Sequence, residues 1–154
     1  MAGKWVELLK EIAPHTERVL VIIHADGIGG HKGYIDPAEA AGKKLGMHVQ
    51  ATPLRQASEL EPAIRELANV PNSGLILTPS SLTAVNRRAI FAVANELKLP
   101  TVSAFRYMAT SGSLISYGID LLDMFKRAAR YVDRIFGGEA PGNLPIQLSQ
   151  NVRL

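Results

Sequence analysis

Apolar positions along the chain switch between two periods, and the switching predicts the architecture. Trp5, Leu8, Leu9 and Ile12 recur at helical spacing, and Pro14 stops that helix. Arg18-Val-Leu-Val-Ile-Ile-His24 is a continuous β-branched run, the pattern of a strand buried on both faces of a parallel sheet. Asp26-Gly27 ends it. Asp36-Pro37 reads as an N-cap followed by proline at the first helical position. That helix runs to about Leu45, with Gly46 as its C-terminal cap.

The alternation continues. His48–Thr52 reads as a second strand. Ser58 and Glu61 have capping-box spacing and open a helix to about Asn69. Gly74–Thr78 reads as a third strand, and Leu82, Val85, Ala89, Val93 and Leu97 predict one long amphipathic helix ending before Pro100. Thr101–Ala104 and Leu114–Tyr117 read as a fourth and a fifth strand, with a helical turn over Phe105–Ser111 between them. Leu121, Phe125, Ala128, Val132 and Ile135 mark a last helix capped by Asp120 and stopped at Gly137-Gly138. Ile146 and Leu148 alternate as in one further strand within Leu144–Leu154. Strands alternating with helices mean βαβ units. With right-handed crossovers the expected fold is α/β, a doubly wound and mostly parallel sheet of four to five strands with helices on both faces.

Composition removes several classes. At 154 residues the chain predicts one domain, with at most an appendage. It contains no cysteine, which excludes disulfide scaffolds, cysteine zinc sites and thiol catalysis. No apolar run approaches the roughly 18 residues a spanning helix needs. The opening MAGKWVELLKEIAP carries Glu7, Lys10 and Glu11 where a signal peptide would be apolar. The expectation is a cytoplasmic chain, or one whose leader and more have been cut away. The net charge of +3 is mild, and the densest basic cluster, Lys126, Arg127, Arg130 and Arg134, is interleaved with Asp123 and Asp133. It reads as a solvated helix face and argues against a nucleic-acid partner.

In such sheets ligands bind beyond the C-terminal strand ends, at a topological switch point. This selects the loops His24–Tyr34, Pro53–Ala57, Pro79–Leu82 and Phe105–Ser111. The first contains Gly27, Gly29, Gly30 and Gly33, but Lys32 stands where a dinucleotide fingerprint needs its third glycine, and no helix is expected directly after it. It reads as an ordinary glycine-rich loop or as an anion cradle around Lys32. His24, Asp26 and His31 are conceivable metal ligands, but one loop without a rigid helical pair is a weak arrangement, and no metal site is expected. Ser80-Ser81 precede a helix: their N–H groups suit a carboxylate, and one serine suits an N-cap. Arg106 follows a buried strand and reads equally as a fork for a ligand carboxylate or as a surface ion-pair partner. Phe105 and Tyr107 suit a pocket wall or the core. No G-x-S-x-G elbow and no acidic pair at strand ends supports an enzyme.

The stretch Phe105-Arg-Tyr-Met-Ala-Thr-Ser-Gly-Ser-Leu-Ile-Ser-Tyr-Gly118, then Asp120-Leu-Leu, Arg127-Ala-Ala-Arg-Tyr-Val-Asp-Arg-Ile135 and Leu144-Pro-Ile-Gln147, resembles ABC transporter substrate-binding proteins of the tryptophan/tyrosine-uptake type. These read F-R-E, a spacer, G-G-L-M-S-Y-G, a helix ending Y-V-D-R-I-L-x-G, and L-P-V-Q. Leu8-Leu-Lys-Glu-Ile-Ala-Pro14 followed by Arg18-Val-Leu-Val resembles the start of their second lobe. The resemblance implies one lobe of a type I periplasmic binding protein: residues 1–118 as the α/β lobe, and 119–154 as an amphipathic helix and final strand crossing the hinge. It implies an extracytoplasmic location, an ABC permease partner, an amino-acid-like ligand, no cofactor and no catalysis. The implied cleft residues are Asp26, Ser80, Ser81, Phe105, Arg106 and Tyr117. Three positions depart from the family: His24-Ala-Asp-Gly27 replaces an Asn-Pro loop, Tyr107 replaces the Glu, and Ser113 replaces the second glycine.

The family's last helix packs on a first lobe. Here its stripe lacks that partner, so a homodimer through this helix is expected. The alternative to the receptor reading is a cytoplasmic nucleotide- or phosphate-binding protein using the Gly27–Gly33 loop.

Overall fold

The computed structural model describes residues 1–26, 30–147 and 152–154, without the side chains of 30–32. Its elements are α1 (Ala2–Ile12), β1 (Arg18–His24), α2 (Asp36–Lys44), β2 (His48–Leu54), α3 (Leu60–Ala68), β3 (Ser73–Leu77), α4 (Ser81–Val85), α5 (Arg87–Glu96), β4 (Thr101–Ser103), α6 (Arg106–Ala109), β5 (Ile115–Ser116), β6 (Gly118–Ile119), α7 (Leu121–Phe136) and β7 (Val152–Arg153). The first five strands form one parallel sheet in the order β2-β1-β3-β4-β5. The expected doubly wound α/β fold is therefore present.

Strand alternation builds two cores. Val19, Val21, Ile23, Ile76 and Val102 face α1 and α2 with the fully buried Trp5 and Leu9. Leu20, Ile22, Leu75 and Leu77 face α3 and α5, meeting Ile64, Ile90 and Phe91. Side chains two apart share a face, so one apolar run supplies both layers.

Several boundaries differ from the sequence reading, each for a local reason. A π-helical turn over Gly30–Ile35 runs straight into α2, so Ile35 already has helical dihedrals and Asp36 is the first helical residue, not its cap. Gly46, at φ +67°, follows α2 as expected, and the Met47 N–H closes back on the Gly42 carbonyl. The capping box lies two residues early: Gln56 and Glu59 form it, opening a 3-10 turn that leads into α3. The long helix from Leu82 to Leu97 is two helices. At Asn86 the backbone leaves helical dihedrals (φ −92°, ψ 8°), its side-chain amide donating to the Leu82 carbonyl at 2.8 Å beside its own N–H at 3.3 Å, and Val85 is 78% exposed.

Beyond β5 the chain leaves the sheet. Gly118 passes so close to the end of β4 that only a glycine fits, a Cβ there falling 1.8 Å from the Ala104 carbonyl oxygen. β6 pairs antiparallel with β7, Gly118 opposite Arg153 and Ile119 opposite Val152. The further strand expected within Leu144–Leu154 is present as β7, at Val152–Arg153; 144–147 are not part of it, with Ile146 exposed, and Leu148 lies outside the described residues. Asp120 caps α7 by accepting from the Leu122 and Asp123 N–H groups. α7 buries no residue, and Leu122, Phe125, Val132 and Phe136 stand exposed along it.

Candidate functional site

The switch point lies between β1 and β3. The chain leaves β1 through α2 on one face, adds β2 outside, and returns through α3 on the other face to β3. In open α/β sheets a ligand crevice lies outside the strand ends at such a point. Thr78 ties the two strand ends together: its N–H and hydroxyl both donate to the Ile22 carbonyl, at 3.3 and 2.8 Å.

Asp26 stands on the β1 side of this edge. Both its carboxylate oxygens accept from one Arg55 nitrogen, at 2.8 and 3.0 Å, and both side chains are exposed. Arg55 itself follows β2. Its N–H donates to Glu59 at 2.7 Å, and with the Gln56 N–H it holds the Glu59 carboxyl below its usual range. Arg55 was not singled out from sequence, although the strand-end rule selected its loop. Its position one residue after an edge strand was the available signal.

Ser80 and Ser81 stand on the β3 side. Ser80 is the N-cap of α4: its Oγ accepts from the Thr83 N–H at 3.1 Å and lies 2.9 Å from the Thr83 hydroxyl. Thr83, fully buried, also reaches back to the Thr78 carbonyl at 3.0 Å. The Ser80 hydroxyl is thus engaged within its own turn, while Ser81 is exposed at the first helical position. The cap reading, which is compatible with the carboxylate-facing one, is realised at Ser80.

Phe105 lies beyond β4, half-buried and in contact with both cores. Its ring stacks on Tyr107 at 5.5 Å, and the Arg87 guanidinium lies 5.6 Å over the Tyr107 ring. Arg87 is fixed by donating to the Ala84 carbonyl and to the Ser111 hydroxyl. Burial pushes the Tyr107 phenol up, with Arg87 pulling the other way.

The remaining two sequence-selected residues lie elsewhere. Arg106 is exposed and lines a cleft toward α7, with Thr110, Ile119, Leu121, Leu122 and Arg153. Among the described residues it has no acidic partner, so the surface ion-pair reading is not realised. Tyr117 packs its ring on the α1 side of the core, and its carbonyl accepts from Trp5 Nε1 at 2.6 Å. Gly27, and with it most of the Gly27–Gly33 loop's first half, lies outside the described residues, as do the His31 and Lys32 side chains. Among the described residues no group of three His, Asp or Glu is placed to hold a metal ion, and no helix is long and apolar enough to cross a membrane.

Comparison with known proteins gives a consistent picture. A tyrosine-binding protein of Clostridioides difficile is 27% identical over 149 residues, covering 93% of this chain and 41% of that protein. A conserved domain protein of Vibrio cholerae superimposes with a TM-score of 0.83 at 21% identity, over 98% of this chain and 50% of that one. An ABC domain from Streptococcus pneumoniae in complex with L-Trp superimposes with a TM-score of 0.85 at 16% identity, over 99% of this chain and 52% of that one. The chain thus spans about half the length of the relatives it matches. The structural likenesses establish the fold. The family follows from the sequence itself: residues 1–154 match the family model of the ABC transporter substrate-binding proteins, and the chain belongs to that family.

Proposed function

We propose that this chain is the solute-binding part of an ABC importer, taking an amino acid at the C-terminal edge of its sheet and working outside the cytoplasm with a permease. The observation that carries the reading is the shared position of Asp26, Ser81 and Phe105 at the strand ends around the switch point, in a chain of this family. The relatives named for tyrosine binding and solved with L-Trp support an amino-acid ligand. An α-ammonium group would compete with Arg55 for the Asp26 carboxylate. Phe105, braced by Tyr107 and Arg87, would form a wall for the side chain. Binding of this kind needs no covalent step, and the chain is not an enzyme on this reading.

A single lobe offers only one wall of a cleft, so affinity in the isolated chain should be weak. The exposed stripe of α7 would pair with a second copy. The test is a two-dimensional NMR titration of the chain with L-tyrosine, L-tryptophan, L-leucine and ATP. Amino acids should move the amide signals of 24–26, 78–82 and 105, and Asp26→Asn should reduce the response. A stronger response to ATP than to any amino acid would overturn the proposal in favour of a nucleotide-binding protein.

A further inference from the structure

A cleft of about 390 Å3 lies between α6, β6 and the start of α7, on the β5 side of the sheet. This is within the roughly 300–1,000 Å3 range of small-ligand sites. Ile119, Leu121, Leu122 and Tyr107 line it, and Leu122 is 64% exposed. Two arginines line it as well, and they differ in state. Arg153 donates through Nε to Asp120 at 2.7 Å, and Asp120 is further engaged by the Leu122 and Asp123 N–H groups. Those contacts use both Asp120 oxygens and satisfy the Leu122 and Asp123 N–H groups of α7. Arg106 has no acidic partner among the described residues. The described residues that line the cleft therefore carry two positive charges and one negative, an excess of one cation beside apolar side chains.

We propose that this cleft is a binding site for a small monocarboxylate with an apolar tail, with the Arg106 guanidinium forking the carboxylate and Leu121 and Leu122 covering the tail. The charge excess matches a monoanion. Among the described residues that line the cleft, the one carboxylate, Asp120, is already held by three N–H donors, which leaves little acceptor capacity for an ammonium group on the ligand. The site therefore favours a monoanion over the zwitterion proposed for the Asp26 edge, and it does not depend on that reading. A planar guanidinium gives two parallel hydrogen bonds to a carboxylate, which a lysine cannot reproduce.

The test uses the whole chain and 3-phenylpropionate, with 3-phenylpropan-1-ol and 3-phenylpropylamine as probes of the same shape but different charge. Saturable shifts should appear for amides 106–110 and 118–123 with the carboxylate only. Arg106→Gln should weaken binding about ten- to hundredfold, and Arg106→Lys by less. Arg88→Gln, an exposed arginine on α5, should leave it unchanged. Arg106 is exposed, so loss of fold does not confuse the result, and an unchanged melting temperature checks this. Equal responses to carboxylate and alcohol, shifts confined to 24–26 and 78–82, or full affinity in Arg106→Gln would each overturn the proposal.

Discussion

The sharpest stability test of the fold is Gly118→Ala, at the point where the chain leaves the sheet. An alanine Cβ at this position falls 1.8 Å from the Ala104 carbonyl oxygen and 2.9 Å from its carbonyl carbon. Ordinary contact requires the chains to separate by roughly 1–2 Å. Neither side can yield by rotating a side chain, because the obstacle is main chain. Ala104 is 1% exposed in the core, and the Tyr117 N–H, one residue before Gly118, is tied to the Ser103 carbonyl at 2.9 Å. Overpacking of a tight site costs about 1–3 kcal/mol, and a backbone obstacle places this case near 3 kcal/mol. In a domain of this size each kcal/mol moves the melting temperature by about 2–4 °C, so a fall of about 6–12 °C is expected. Thermal unfolding followed by circular dichroism measures it. Gly142→Ala, where a Cβ meets nothing within 4 Å, serves as the neutral control. Ala104→Gly in the Gly118→Ala background should give no rescue, since it removes a methyl and leaves the carbonyl in place. A melting temperature unchanged in Gly118→Ala, or recovered by Ala104→Gly, would refute the close approach.

Trp5→Phe removes the indole N–H that the Tyr117 carbonyl accepts and thins a fully buried contact; a loss of about 2–4 kcal/mol is expected in urea unfolding. Ser80→Ala removes the α4 cap and should cost about 1 kcal/mol by the same measurement. The Asp120 carboxyl is held below its usual range by the Asp123 N–H, against a smaller desolvation effect, with Arg153 and the Leu122 N–H adding to it. Its folded pKa lies below the unfolded one, so its contribution is complete above about pH 4 and disappears as pH falls through the folded value. Asp120→Asn should therefore flatten the acid limb of a melting-temperature-against-pH profile, and an unaltered limb would count against this assignment. Phe125→Asp should convert the dimer expected through α7 to a monomer in size-exclusion light scattering; a mass that is the same in both proteins would exclude α7 as the interface.

What could be read from the sequence divides along a physical line. Strand β1 and helix α7 were legible because each is written in its own period, a continuous β-branched run and a 3.6-residue stripe. The helix break at Asn86 was not, because a side-chain amide reaching the Leu82 carbonyl leaves the apolar spacing intact on both sides of it. The same holds at the site. Sequence placed Asp26, Ser80 and Phe105 at strand ends, since strand ends follow from the period. It could not show that Ser80 is consumed by Thr83, that Arg55 reaches across from β2 to Asp26, or that Arg106 turns toward α7 instead of the switch point. The Arg55–Asp26 contact joins the loops of two different strands, and its partners are set by the strand order β2-β1-β3-β4-β5, which no local pattern encodes. α7 carries the distinction furthest. Its period names the residues of an apolar face, and of these Phe125, Val132 and Ile135 are exposed along it. A period specifies that a face must be covered; only the identity of a second surface, outside the helix's own residues, specifies what covers it.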